Sequence, residues 1–305
     1  MFGKKHGMMI RQSVPEHIFN VANYLFMFLF FFVCIYPFYY VVIYSVSSMQ
    51  DIRQGVLLWP SRFDFTAYAR IFQQGEIFSG FIVSVARTVS ATVVTVLCSS
   101  VFAYLFTKQE MFLRKFIYRF VIVTMYIESG LIPWYITMRA YGLRNNFLLY
   151  ILPGAVSVYF VILVKTYIEQ LPPSMEESAQ VDGAGFFTLF FRIIMPLCKP
   201  IIATIAVFAA VGAWNAWMDT FFLVTEKSLY TVQIILYHFI NQAQQIANAM
   251  RKSTNPGDAE RFVGNITPET VIRASTVITV FPIIVVYPML QRYFVKGIMM
   301  GAIKG

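Results

Sequence analysis

Long apolar segments alternate with polar segments along the whole chain. Six of the apolar segments carry few acidic or basic residues, and each has about the 20 residues that a helix needs to cross the hydrocarbon core of a membrane. Their approximate bounds are 20–46, 78–105, 117–138, 147–168, 200–223 and 270–291. The pattern predicts an all-α membrane protein in which residues 1–305 form a single transmembrane domain of six spans.

A seventh apolar stretch, at 228–250, differs from the six spans because amide side chains and a histidine interrupt it. Such groups are costly in lipid, where water cannot satisfy them. The stretch therefore predicts an amphipathic helix outside the membrane, within an outer segment at 224–269. The polar residues of the stretch are Gln233, His238, Asn241, Gln242, Gln244, Gln245 and Asn248.

The composition changes the range of possible functions. Hydrophobic residues make up 58% of the chain and charged residues 13%, whereas an ordinary soluble domain has roughly 45–50% and about 25%. So little polar surface cannot cover a soluble domain of this length. The composition thus excludes a soluble enzyme and a disordered chain.

The net charge of +9 does not indicate nucleic acid, because the basic residues lie between the apolar segments rather than in one stripe. More of them fall in the two tails and in the loops at 107–116 and 169–199 than in the longer loops on the other side. The positive-inside tendency therefore predicts that both termini are cytoplasmic. The three cysteines, Cys34, Cys98 and Cys198, have no disulfide or metal-site spacing.

Local sequence signals predict the structure of the cytoplasmic loop at 171–196. Pro172 and Pro173 end the incoming helix, and Ser174 with Glu177 three residues later predicts a capping box at the start of a short helix. Asp182 and Gly183 predict the turn that ends this helix. A second, apolar helix follows and is expected to stop before Pro196. The product is a helix-turn-helix at the membrane surface that exposes Glu176 and Glu177.

The same loop carries a longer motif. Glu177-Ser178-Ala179 is followed by three residues, Gly183, nine residues and Ile193-Ile194-Met195-Pro196. This motif resembles the Glu-Ala-Ala, Gly and Ile-x-Leu-Pro signature of the integral membrane permeases of binding-protein-dependent ABC importers. Ser178 and Met195 depart from that signature, and both are small changes in volume.

The resemblance covers nearly the whole chain. Gly130-Leu131-Ile132-Pro133, Gly212-Ala213-Trp214-Asn215, Ser228-Leu229-Tyr230 and the tail at 287–297 are similar to the carbohydrate-uptake branch, in particular to the polysaccharide-type permeases of the maltose-permease group. The resemblance implies the ABC importer type I permease fold and the import of an oligosaccharide across a bacterial cytoplasmic membrane.

The resemblance also implies partners. These are a homologous second permease subunit, two cytoplasmic ABC ATPase subunits and an extracytoplasmic solute-binding protein. No cofactor is expected on this chain, because its Lys-Ser and Lys-Thr pairs lack a phosphate-cradling glycine; ATP-Mg is expected on the ATPase. The residues implied in coupling to the ATPase are Glu176, Glu177, Ser178, Ala179, Asp182, Gly183, Ala184, Ile193 and Pro196.

Candidate residues for the substrate path lie within the spans, where a charge must face protein or water. Glu128 either lines a cavity or pairs with Arg87. Trp214 and Asn215 offer an indole and an amide to a sugar, although Trp214 also suits an interfacial belt. Asp219 and Arg273 are expected near the outer headgroups, and Arg87 and Arg273 would offset an acidic glycan if they faced the cavity.

Two other classes of membrane protein compete with this interpretation. An ion-coupled secondary sugar transporter would need a carboxylate relay in the membrane, and only Glu128 is centrally placed. A membrane-embedded enzyme would need a catalytic constellation, and neither catalytic nor metal-ligating residues stand out, since His6, His17 and His238 are far apart in sequence.

Overall fold

The computed structural model describes residues 14–55, 58–73, 75–252 and 270–285. Within these ranges the chain is helical and forms no strand beyond one isolated bridge between Ser47 and Phe63. The helices, in chain order from α1 to α13, are Val14–Ser45, Met49–Gln54, Thr66–Gln73, Glu76–Leu105, Arg114–Thr124, Leu131–Ala140, Val158–Ile168, Ser174–Val181, Phe186–Leu197, Lys199–Asn215, Met218–Leu223, Val232–Lys252 and Thr270–Val285.

Two of the described helices, α1 and α4, are each long and apolar enough to cross a membrane unbroken. A third candidate span is the pair of α9 and α10, which are bent against each other by 83°. The other predicted spans are not single long helices in this structure. Their boundaries therefore stay a prediction, and the sixth is described only as far as Val285.

The third and fourth predicted spans are broken where glycine and proline interrupt the apolar sequence. In the third span, helix α5 ends at Thr124 and helix α6 begins at Leu131. Gly130, directly before α6, has a φ of +75°, which only glycine adopts readily. The fourth has a 3₁₀ turn at Phe147–Tyr150 and begins α7 only at Val158. Proline and glycine are hard to keep inside a helix, which explains both breaks.

Hydroxyl groups of α4 satisfy backbone groups that the break in the fourth span exposes. Thr95 donates a hydrogen bond of 2.7 Å to the carbonyl of Gly154, and Ser99 accepts one of 3.1 Å from the amide of Ser157. In a membrane, broken helices need such partners because water is absent. The polar face of α4 thus stabilises a non-helical segment in the core of the fold.

The helix α4 is the centre of the described structure, and it packs along α10, α7 and α12. One core cluster joins α4 to α7, α9 and α10, and its fully buried members include Ala103, Val161 and Ile205. By contrast, α1 exposes its Phe-rich surface, and only its last residues are buried. In a single chain this surface is free to face lipid, as the Phe-rich sequence predicts.

The amide-rich stretch forms a helix, as expected, over Val232–Lys252. Its first turn docks against α4, where the amide of Val232 donates to Ser84 at 2.8 Å. Gly80 permits this approach, because a Cβ atom there would lie 2.3 Å from the Cδ1 of Ile235. The rest of the outer segment, at 253–269, both chain termini and the tail at 287–297 lie outside the described residues.

Candidate functional site

The first helix of the cytoplasmic loop, α8, begins differently from the prediction. Pro173 occupies the N-cap position with helical angles, and no side chain caps the helix. Ser174 is therefore the first residue inside the helix, one position after the N-cap, and its hydroxyl does not cap the helix. The predicted capping box of Ser174 and Glu177 is wrong. The hydroxyl of Ser178 instead donates to the carbonyl of Ser174 at 2.8 Å.

The end of α8 agrees with the prediction of a turn at Asp182 and Gly183. Gly183 has a φ of +81°, a conformation that favours glycine. Its amide donates to the carbonyl of Gln180, and the amide of Ala184 donates to the carbonyl of Ala179, both at 2.9 Å. This pair of bonds is a Schellman motif, which fixes the direction in which the chain leaves the helix.

The second arm of the loop, α9, does not stop before Pro196 as expected. It passes through a π-helical turn at Leu189–Ile194, includes Pro196 in the turn Met195–Leu197, and meets α10 at Cys198. A proline ring clashes with the carbonyl four residues earlier in a regular α-helix. The wider π turn directly before Pro196 accommodates that ring, and π turns are frequent at functional sites.

The predicted coupling residues divide into an outward and an inward set. Glu177, Ser178, Asp182, Gly183 and Pro196 are exposed, whereas Ala179, Ala184 and Ile193 are half-buried against the core cluster.

Glu176 departs from the expectation that it faces the cytoplasm. It accepts a hydrogen bond of 2.9 Å from the hydroxyl of Tyr104 and forms an ion pair with Lys108. The physical reason is that the two adjacent glutamates point in different directions on a helix, and Lys108, just beyond the end of α4, lies on the side of Glu176. Of the two glutamates, Glu177 is therefore the one that remains on the outward surface.

In the membrane region, Arg87 is buried and pairs with Asp219 through two contacts, of 2.5 and 3.1 Å. It also donates to the carbonyl of Ala216 at 3.1 Å and lies 4.5 Å from the centre of the Tyr150 ring. Glu128 is exposed and is not the partner of Arg87. Asp219 is half-buried, and its position near the outer headgroups stays a prediction.

A groove of about 460 Å³ lies beside this ion pair. Asn215 is exposed and lines it, and its role in the substrate path stays a prediction. The other lining residues are Leu131, Trp134, Gly212, Ala216, Trp217, Met218 and Asp219. The groove follows the break between α10 and α11, where the chain leaves helical geometry at Ala216.

Trp214 does not line this groove, and its role in the substrate path stays a prediction. It is buried, its indole N–H donates to the carbonyl of Thr279 at 3.2 Å, and its ring packs edge-on to Phe81 with centroids 5.8 Å apart. The helix ends one residue later, so Asn215 faces the groove while Trp214 faces α4 and α13. The indoles that do line the groove are Trp134 and Trp217.

Trp134 was not singled out from the sequence, and Trp217 lies two residues after the candidate Asn215. A usable signal for Trp134 was its place just after Gly130 and Pro133, where the third span is interrupted. Arg273 lies outside the groove lining, with its guanidinium 5.4 Å from the centre of the Tyr44 ring. It is a residue of α13 and is half-buried where that helix meets the end of α1.

On the predicted outer side, the chain ties its loops together through Asn145. The Asn145 side-chain oxygen accepts from the backbone amide of Thr225 at 2.6 Å, and the backbone amide of Asn145 donates to the carbonyl of Leu223 at 3.1 Å. Glu76 accepts from Lys227 at 2.6 Å, and this bond raises the pKa of the exposed Lys227 ammonium. The outer loops next to the groove are therefore pinned to each other.

The described helices define a membrane protein that has a groove between its helices and an exposed acidic helix on the loop at 171–196. Residues 65–300 match the family of binding-protein-dependent transport system inner membrane components. The chain belongs to this family and is a transport permease subunit rather than an enzyme.

Characterised relatives cover almost the whole chain. It is 30% identical to the polygalacturonan/rhamnogalacturonan transport system permease protein YtcP of Bacillus subtilis over 96% of this chain and 100% of the relative. It is 24% identical to the melibiose/raffinose/stachyose import permease protein MelC of the same organism, over 88% of this chain and 91% of the relative.

A solved structure shows the same fold. The crystal structure of a bacterial ABC transporter involved in the import of the acidic polysaccharide alginate contains a chain that matches with a TM-score of 0.78. The match has 29% sequence identity and covers 93% of this chain and 99% of that one. The all-α ABC permease fold expected from the cytoplasmic motif is thereby confirmed.

Proposed function

We propose that this permease subunit carries an oligosaccharide across the bacterial cytoplasmic membrane. The proposal is supported by the relatives, whose names state transport of polygalacturonan or rhamnogalacturonan and of melibiose, raffinose and stachyose, and by the alginate importer. The proposed complex contains a homologous second permease, two cytoplasmic ATPase subunits and an extracytoplasmic solute-binding protein. ATP-Mg is bound by the ATPase.

The observation that carries the proposal is the construction of the cytoplasmic loop. Its outward side presents Glu177, Ser178 and Asp182 on a helix whose end is fixed by the Schellman motif at Gly183. Its inward side is anchored in the core through Ala179 and Ala184. A rigid acidic helix at this position suits docking onto a separate ATPase, and we assign Glu177 as its main charged contact.

The proposed substrate path follows the groove at the break between α10 and α11. Asn215 supplies an amide for sugar hydroxyls, and Trp134 and Trp217 supply flat apolar faces on which a pyranose ring stacks. Glu128 is exposed before α6 and is proposed at the edge of the same path. Trp214 is proposed as a packing residue that holds α10 against α13, because its N–H is already bonded.

An acidic oligosaccharide is the first substrate to test, since two of the matched proteins are named for acidic polysaccharides. Among the described residues, the groove lining offers no free cation for such a substrate, because Asp219 already neutralises Arg87. Recognition by ring stacking and by hydrogen bonds from an amide side chain would accept neutral and acidic sugars alike. On this proposal the binding protein, rather than the groove, selects for charge.

The function is tested by reconstituting the complete complex in liposomes. Uptake of labelled oligogalacturonide and of raffinose is measured with and without ATP inside the vesicles, and with an ionophore that dissipates ion gradients. We expect uptake to require ATP and the binding protein and to be insensitive to the ionophore. Uptake that an ion gradient drives without ATP would contradict the proposal.

The coupling assignment has its own variant. Glu177→Lys reverses the outward charge of the loop without touching the core, so the chain is expected to insert normally, to lose most of the copurifying ATPase and to stop uptake. Ser178→Ala restores the residue typical of the family signature and serves as the control. Normal uptake and a wild-type amount of ATPase in Glu177→Lys would refute the role of Glu177.

A further inference from the structure

The side of the coupling helix α8 that faces away from the cytoplasm meets the end of α4. Glu176 accepts a hydrogen bond from Tyr104 at 2.9 Å and pairs with Lys108, which lies just beyond the last residue of α4. The side chains of Lys108 and Glu176 are 11% and 23% exposed. The pair is thus largely shielded from water and salt, unlike an ion pair on an open surface.

Tyr104 connects both arms of the cytoplasmic loop to α4. It is buried, and its ring centroid is 5.3 Å from that of Phe190 in the π-helical turn of α9. The ammonium of Lys108 lies 4.3 Å from the centre of the same ring. One residue of α4 therefore contacts α8 through its hydroxyl and α9 through its ring.

The helix α4 continues without a break from this contact to the groove. Arg87 lies 17 positions before Tyr104 on the same helix, which corresponds to about 26 Å along its axis. There it binds the carbonyl of Ala216 and the carboxylate of Asp219, both of which line the groove. A displacement of the cytoplasmic end of a stiff helix is expected to reach its other contacts.

We propose that Lys108 and Tyr104 are positioning residues that lock the coupling helix to α4 through Glu176, so that the helix and α4 move as one body. The movement of α4 then reaches the groove wall through Arg87 and its contacts to Ala216 and Asp219. This inference rests on the proposed role of the 171–196 loop in coupling, and it assigns Glu176 and Glu177 different tasks. Glu177 faces the ATPase, and Glu176 faces the permease's own α4.

The experiment follows a groove residue while the ATPase acts. A cysteine is placed at Met218, which lines the groove and is exposed, in a complex whose permease lacks Cys34, Cys98 and Cys198. The rate of labelling by a water-soluble maleimide is compared between the nucleotide-free state and the state trapped with ATP and vanadate. Copurifying ATPase, ATP hydrolysis and uptake are measured in the same preparations.

The variants are Lys108→Met, Glu176→Gln and Tyr104→Phe. We expect each to keep the ATPase bound and hydrolysing, while the nucleotide-dependent change in labelling at position 218 and the uptake fall by about fivefold. The charge-exchanged pair Lys108→Glu with Glu176→Lys is expected to recover both. Tyr104→Phe removes only a hydroxyl, so it keeps the test available if a charge variant fails to fold.

The matched control is Glu169→Gln. Glu169 forms an ion pair with Lys165 at 2.6 Å on the end of α7, but it is half exposed and does not contact the loop helices through that pair. Its loss is expected to change none of the four measurements. A general effect of removing a cytoplasmic ion pair would show in this variant too.

The outcomes separate this inference from the proposed function. If Lys108→Met and Tyr104→Phe keep the wild-type labelling change and uptake with the ATPase bound, the positioning role is wrong and the function stands. If they lose the ATPase altogether, the contact shapes the docking surface and does not transmit movement, which also overturns the inference. If the unmutated complex shows no ATP-dependent labelling change or uptake, the proposed function itself fails.

Discussion

The guanidinium of Arg87 meets both carboxylate oxygens of Asp219, at 3.1 and 2.5 Å, in the interior of the permease. The two residues come from α4 and α11, and the carbonyl of Ala216 takes a further hydrogen bond from the same guanidinium. The pair thus neutralises two charges inside the fold and also satisfies the backbone where α10 ends. We expect it to hold the groove wall, because each charge already has its partner.

Removing one partner of this pair is predicted to destabilise the permease. Arg87→Gln leaves the half-buried Asp219 carboxylate without its cation, and the cost is expected to reach at most about 3–5 kcal/mol, the value typical of breaking a fully buried ion pair. The double variant Arg87→Gln with Asp219→Asn removes both charges and is expected to regain a large part of the lost stability. Thermal unfolding of the purified complex in detergent measures both, and equal midpoints for single and double variants would contradict the prediction.

Position 183 is predicted to require glycine, the residue without a side chain. Its φ of +81° disfavours other residues, and a left-handed conformation costs an ordinary residue about 1–2 kcal/mol. No atom lies within 4 Å of a Cβ built at this position, so the cost comes from the backbone alone. We expect Gly183→Leu to misdirect α9, with most of the uptake lost, while the chain is still inserted.

The control for Gly183 lies two residues later. Gly185 has a φ of −75° and equally open surroundings, so Gly185→Ala is expected to transport normally. Gly183→Asn should be intermediate, because asparagine tolerates the left-handed region better than leucine does. Uptake assays at equal membrane content check the series, and equal loss in Gly183→Leu and Gly185→Ala would show that backbone conformation is not the cause.

The sequence predicts features that depend on near neighbours in the chain. Gly183 is one example, since a turn after a short helix needs its φ, and the helix at Val232–Lys252 is another. It does not predict the partner of Glu176, because Tyr104 is 72 positions away. Nor does the sequence predict which way the Trp214 ring points, because that depends on where α10 ends. The pairing of Arg87 with Asp219 depends on packing between segments that are far apart in the chain.

The outer segment provides a prediction about the solute-binding protein. The buried first turn of α12, with Val232 and Ile235, anchors this segment on α4, whereas residues 242–262 lie beyond the anchor. Deletion of 242–262 is therefore expected to leave the fold intact and to weaken the stimulation of ATP hydrolysis by the binding protein. Assays of reconstituted complexes with and without the binding protein measure it, and unchanged stimulation would refute the role of the segment.

The groove is predicted to be reached by water during transport. Cysteines at Glu128, Asn215 and Trp217, each in a background without Cys34, Cys98 and Cys198, should react with a water-soluble thiol reagent at rates that ATP or sugar alters. A cysteine at Trp214 should stay unreactive, because that side chain is buried between α4 and α13. Labelling at 214 but at none of the other three positions would place the path on the opposite face of α10.

Stacking on the groove indoles is predicted to set the affinity of the permease for its sugar. Trp134→Ala and Trp217→Ala each remove a flat apolar face, which is worth about 0.5–1.5 kcal/mol in aromatic contacts. The half-saturating sugar concentration should therefore rise about two- to tenfold, with a smaller change in the maximal rate. Trp214→Phe should cost about 1 kcal/mol of stability through its lost hydrogen bond to Thr279 and leave the half-saturating concentration unchanged. These values are measured best in a complex that transports without its binding protein, because the binding protein otherwise masks the permease's own affinity. A rise in the half-saturating concentration for Trp214→Phe alone would return the sugar contact to Trp214 and remove it from the groove.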